Sequence, residues 1–170
     1  VTYAMDIRNE NANTDRTVKV NQIVDYFDAK YEKTGIKVGT AIDETTGEVT
    51  GELSVSNVEN VNSKYNKITI DTTKLGEIAG TGENHKTIYV KFDLSKAQIA
   101  EILNGEQSNA PLDNVAEITS YSTLQNGKPY AAIDKDSIPN NSKIGEENTY
   151  EDDTDKAPSF ILHPEEERTL

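Results

Sequence analysis

Cysteine and tryptophan are both missing from the chain, and methionine occurs once. Without cysteine there is no disulfide framework, no thiolate metal site and no thiol nucleophile, and the usual indicator of redox compartment is silent. Histidine is limited to His85 and His163. No Gly-x-Ser-x-Gly elbow or phosphate-binding loop accompanies them, and Gly80-Thr81-Gly82 reads as a turn. Thirty acidic residues guarantee chance carboxylate pairs, yet a glycosidase also needs sugar-stacking platforms, and the largest of these, tryptophan, is absent. No run approaches the roughly 18 apolar residues of a membrane-spanning helix. Positive charge is scarce as well: 17 basic residues against 30 acidic ones leave a formal charge of −13. Nucleic acid and anionic lipid are therefore unfavourable partners, because both need clustered lysine and arginine. These absences point to a chain that is not an enzyme, binds no nucleic acid and does not insert into a membrane.

Hydrophobic residues make up only 34%. Typical soluble domains carry roughly 45–50% apolar residues, glycine counted and tyrosine not, and swapping those two types hardly changes the comparison. A length of 170 residues suits one domain. A slim core of this kind fits between two antiparallel sheets whose outer faces stay wet. The alternation supports that reading. Val1, Tyr3, Met5 and Ile7 share one face, with Thr2, Asp6 and Arg8 on the other. Further strands are expected over Val18–Phe27, around Ile36, Val38 and Ala41, around Leu53 and Val55, over Tyr65–Ile70, Lys86–Phe92 and Asn114–Tyr121, with a short one at Tyr130–Ile133 and a last apolar patch at Phe160–Leu162. Because the sequence opens inside a strand, it reads as a piece of something longer.

One helix stands out, Ser95 to Asn104. Ser95 is its N-cap, Gln98 completes a capping box, Ile99, Ile102 and Leu103 share a face, and Gly105 takes the position after the last turn. So short a helix needs to lay its apolar stripe on the sandwich. The expected fold is all-β, an antiparallel immunoglobulin-like β-sandwich with one short helix. Its parts are residues 1–133 as the sandwich, 134–163 as an acidic loop with the last strand, and 164–170 as a linker to a following module.

Several blocks carry a resemblance. These are Val-x-Tyr-x-Met-x-Ile-x-Asn over Val1–Asn9, then Val20-Asn21-Gln22-Ile23-Val24-Asp25-Tyr26-Phe27-Asp28, Asn114-Val115-Ala116-Glu117-Ile118, Ala132-Ile133-Asp134-Lys135-Asp136-Ser137 and Tyr150–Pro158. In that order they resemble the immunoglobulin-like repeat modules of Gram-positive, clostridial-type cell-wall-anchored adhesins. The ending Glu167-Arg168-Thr169-Leu170 resembles the first strand of a B-type repeat module. Ala132 and Asn140 stand where the family pattern has glycine, which affects the local turn. The resemblance implies an extracellular, cell-wall location and a structural or stalk role, with neighbouring modules of the same polypeptide as partners. The alternative is an adhesive module that recognises a host, matrix or glycan target.

The resemblance also implies a self-formed isopeptide bond between a lysine and an asparagine, assisted by a buried acid. By position Asn114 matches the asparagine and Asp25 the acid, while the lysine belongs on the first strand or just before it, with Lys19 the only nearby substitute. The plain alternative makes Asn114 a turn or edge residue, Asp25 a surface carboxylate and Lys19 an outward side chain. A second candidate is calcium, which takes six to eight hard oxygen ligands. Asp134, Asp136, Asn140, Glu151, Asp152, Asp153 and Asp155 offer such oxygens. They do not make an EF-hand, because the fifth, sixth and twelfth positions from Asp134 are Ile138, Pro139 and Gly145. The competing reading is a solvated acidic linker that needs no ion. Asn140-Asn141-Ser142 fits a glycosylation sequon, and Tyr26, Phe27 and Tyr31 are either core or an exposed binding patch.

Overall fold

The computed structural model describes residues 1–10, 15–104, 111–130, 138–151 and 153–160. They form an all-β sandwich of antiparallel sheets with one α-helix. The first sheet has four strands in the order β1 (Thr2–Arg8), β8 (His85–Lys91), β3 (Lys37–Ile42) and β4 (Val49–Glu52). The second is built on β9 (Leu112–Gln125), β2 (Arg16–Asp28) and β6 (Tyr65–Asp71), with β5 (Glu59–Asn60) beyond β6 and β7 (Ile78–Ala79) beside β2. On its other side β9 pairs with β10 (Lys128–Pro129) and β11 (Thr154–Ser159).

Alternation places the core as the sequence implies. Tyr3 and Ile7 of β1, Ile88 and Val90 of β8 and Val38 of β3 point inward from the first sheet, and Ile23, Phe27, Ile68 and Ile70 meet them from the second. Each fully buried aliphatic or aromatic side chain contributes roughly 1.5–3 kcal/mol. At one end an aromatic cluster closes the layers. Phe92 lies 4.7 Å from Phe27 and 4.9 Å from Tyr31, and the Tyr3 hydroxyl sits 2.7 Å from that of Tyr31 while donating to the Leu112 carbonyl. Phe27 and Tyr31 are therefore core residues and not an exposed binding patch.

Strand β2 explains its own mixed pattern. An irregularity between Val20 and Ile23 shifts its register against β9, so the inward positions change parity. Val20 faces the core before it, and Ile23 and Phe27 face the core after it. Asp25, between the last two, must point inward as well. Where β3 and β4 cross closely, a Cβ on Gly39 would run into the Thr50 carbonyl oxygen, so only glycine fits there. Asn126 and Gly127, both at positive φ, make the tight turn from β9 to β10.

The helix α1 spans Lys96–Asn104, and its cap is as expected: the Ser95 hydroxyl accepts from the Gln98 amide at 3.0 Å. Ile102 anchors it to the core. Gly105 and most of the Tyr130–Ile133 and Phe160–Leu162 segments lie outside the described residues. Strand β11 lies inside the 134–163 part expected as an acidic loop with the last strand. Its Thr-Asp-Lys-Ala-Pro-Ser sequence has no apolar alternation, because it is joined to β9 through the backbone and leaves its side chains mostly wet.

Candidate functional site

Asp25 and Asn114 meet between the two sheets. In the β2–β9 ladder Phe27 is opposite Asn114 and Asp25 opposite Ala116, so Asp25 and Asn114 are diagonal neighbours on the inward face. The Asn114 amide nitrogen donates to Asp25 Oδ1 at 2.7 Å. Asp25 is 0% exposed and Asn114 4%. The remaining oxygens, Asp25 Oδ2 and Asn114 Oδ1, are buried without a hydrogen-bond partner among the described residues. Desolvation raises the Asp25 carboxyl well above the ordinary carboxylate range, and no cation is paired with it among the described residues. A protonated Asp25 can itself donate. Turning the Asn114 amide over would then set its carbonyl oxygen against that acid proton, which polarises the amide carbon.

Asn114 lies at the base of a cleft of about 530 Å³ between the two layers, with Asp25 buried beside it. Its walls are β1 on one side and β11 on the other, with Ile23, Asn114, Ala116 and Ile118 as the floor. Tyr3, reaching Leu112 and Tyr31, bounds it at one end. Burial and the hydroxyl–hydroxyl contact push the Tyr3 phenol upward, so it stays neutral.

Lys19 is not brought to this pair. It lies opposite Ser122, whereas Asn114 lies opposite Phe27. Six residues along a strand from Asp25 amount to roughly 20 Å, and Lys19 falls between the inward Val18 and Val20, which turns it outward.

The acidic segment is placed elsewhere, over the outer face of the same two strands. Glu117 of β9, 1% exposed, accepts the Ser142 amide at 3.0 Å, and the Ser142 hydroxyl meets that of Thr154 at 2.6 Å. Glu151 accepts from the Ile138 amide and from the Asn141 side chain. Asp113 is held by Lys64 at 2.9 Å and by the Tyr65 hydroxyl, with Lys156 at 3.6 Å. The Tyr26 phenol beneath this cover is raised by burial and by the nearby Glu117.

Of the calcium candidates, Asp134, Asp136 and Asp152 lie outside the described residues. Glu151 spends both oxygens on protein donors, Asp153 has its carbonyl on the Ile118 amide, Asp155 caps the Lys156 amide, and Asn140 occupies a left-handed turn. Among the described residues no three acidic or histidine side chains gather as a cation would need. What holds the segment instead, an acid accepting backbone N–H groups from a loop folded over its own sheet, leaves no periodic signal in the sequence. No helix of the described residues is long and apolar enough to cross a membrane. No family model, curated protein or solved structure matches the chain.

Proposed function

We propose that the chain is a non-enzymatic structural module of a bacterial cell-surface protein, displayed outside the cell and spacing neighbouring modules of the same polypeptide, with Asp25 and Asn114 as the acid and acceptor of an internal isopeptide bond. The observation that supports this most is the inward acid–amide couple itself. A buried carboxyl beside an uncharged amide costs stability where a leucine would add it, so its presence argues for chemistry rather than packing.

The reaction needs no cofactor. A neutral lysine amine adds to Asn114 Cγ, whose carbonyl is polarised by protonated Asp25. The new N–C bond forms as the amide C–N bond breaks, one amine proton leaves through Asp25 to the departing nitrogen, and ammonia is released. The sandwich excludes water that would hydrolyse the intermediate and keeps the incoming amine uncharged.

The test is the intact mass and peptide map of the parent protein expressed from its own gene. The proposal expects a branched peptide joining Asn114 to a lysine other than Lys19, lighter by one ammonia; a free, unmodified Asn114 peptide in the folded protein would refute the bond. Specific micromolar capture on a glycan and matrix-protein array would instead favour the adhesive reading over the spacer.

A further inference from the structure

The tip between β9 and β10 is an Asn-Gly turn far along the sheet from the acid–amide couple. Asn126 and Gly127 both hold positive φ, 51° and 76°, and both are exposed. A two-residue turn of this kind joins twisted antiparallel strands. Gly127 has nothing within 4 Å of the point where a side chain would begin, so its nitrogen is unshielded. Neither the Asn126 side chain nor the Gly127 amide has a hydrogen-bond partner among the described residues.

The turn is held unevenly. On the β9 side the Asn126 amide donates to the Asp15 carbonyl at 2.9 Å. On the other side β10 is two exposed residues, of which Pro129 has no amide hydrogen to give. Beyond it the Tyr130 amide donates to the Thr123 carbonyl at 3.1 Å, and the Thr123 hydroxyl donates to the Tyr130 carbonyl at 2.6 Å. An arm this short opens locally at little cost, and opening lets the Asn126 side chain swing over the Gly127 nitrogen. Other asparagines with a small residue after them are better held. Asn62, before Ser63, accepts the Lys64 and Tyr65 amides, and Asn141, before Ser142, donates to Glu151. Asn104, which also precedes a glycine, closes the last turn of α1.

We propose that Asn126 is a site of spontaneous modification, at which a succinimide forms with Gly127, opens to isoaspartate and releases the β10 arm. The Gly127 nitrogen adds to Asn126 Cγ. The new N–C bond forms as the Cγ–Nδ2 bond breaks, the Gly127 amide proton passes through water to the departing nitrogen, and ammonia leaves. Water then opens the ring. Attack at the Asn126 main-chain carbonyl breaks its bond to Gly127 and leaves the chain running through Cγ, which is isoaspartate; attack at Cγ gives aspartate. Because water and time suffice, the conversion marks the age of each molecule. Isoaspartate adds one carbon to the backbone of the turn and a carboxylate near Asp15, so the pairing of Gln125 with Lys128 is lost and Tyr130 leaves the Arg16 guanidinium, which lies 5.1 Å from its ring centre. The site is independent of Asp25 and Asn114, but it bears on their test, because the succinimide is also lighter by one ammonia.

The experiment incubates residues 1–170 in mildly alkaline buffer, folded and in guanidinium chloride, and follows each asparagine by peptide mapping with backbone fragmentation. In the folded chain Asn126 is expected to lose its amide at least about tenfold faster than Asn104, Asn62 or Asn141, with isoaspartate as the larger product. In guanidinium chloride Asn104 and Asn126 are expected to react alike, since both precede glycine. Hydrogen exchange at the Tyr130 amide is expected to quicken in the converted protein. Equal rates at Asn126 and Asn104 in the folded chain, the same preference for Asn126 in denaturant, no isoaspartate at position 126, or unchanged exchange at Tyr130 would each overturn the proposal. Asn126→Gln is expected to remove the linear peptide that has lost ammonia and to leave a branched Asn114 peptide in the parent protein untouched, so this site and the isopeptide reading fail separately.

Discussion

Strands β2 and β9 carry buried acids on both faces, and the two faces treat them differently. Outward, Asp113 Oδ2 has two lysines and a phenol within reach, although Asp113 Oδ1 has no partner among the described residues, and Glu117 receives a backbone amide from the 138–151 segment. Inward, Asp25 has a single neutral partner, Asn114, and each side chain of that pair keeps one oxygen without a donor among the described residues. Asp113 ties β9 to Lys64, Tyr65 and Lys156. Burial favours the neutral form of the inward acid, which accepts from an amide in a place where packing alone would select a hydrocarbon. Glu117 helps order the acidic segment through Ser142; the inward pair has one buried hydrogen bond between its members and no charged partner among the described residues, and it carries the functional argument.

The contrast sets the order of expected effects. The largest is for Glu117→Ala, which strands the Ser142 amide under the acidic segment. A loss of about 2–3 kcal/mol is expected, read as a lower midpoint in urea, together with new protease cuts within 138–151. An unchanged midpoint with a resistant segment would show that Glu117 does not anchor it.

A smaller effect is expected for Asp25→Asn, within about 1 kcal/mol of the parent at neutral pH, because the amide carries no proton to lose. Its signature is in the pH dependence. Burial raises the Asp25 carboxyl, so above about pH 4, the ordinary carboxyl value, the folded chain keeps a proton that the unfolded chain releases. That contribution to stability is complete below the ordinary value and is lost as pH rises toward the raised one, at up to about 1.4 kcal/mol per pH unit. Denaturation across that range should show a decline in the parent that is reduced in Asp25→Asn; parallel curves would mean that Asp25 titrates normally. The smallest effect belongs to Lys19→Ala, expected within about 0.5 kcal/mol and without influence on the mass of Asn114 peptides. A change in either would return Lys19 to the site.

The sequence discloses the sandwich because Tyr3, Ile7, Ile88 and Val90 alternate without interruption, and it discloses α1 because Ser95 and Gln98 form a local cap. It places Asp25 and Asn114 together only through a family resemblance, since the inward turn of Asp25 depends on a register shift near Gln22 that no alternation rule reveals. Lys19 looked adjacent in sequence and proves distant because strands convert six residues into roughly 20 Å. Strand β11 left no trace because its pairing uses the backbone, and the 138–151 cover left none because its anchors are single polar contacts spread over 25 residues or fewer.

The protonation of Asp25 is the point on which the acid–amide assignment turns, and carbon-detected NMR of its side-chain carboxyl across a pH titration measures it directly. The expected result is a protonated carboxyl that persists well above the pH at which exposed Asp43, whose carboxyl is lowered by the Thr46 and Thr45 amides, has ionised. An Asp25 resonance that titrates with the ordinary surface carboxylates would contradict it.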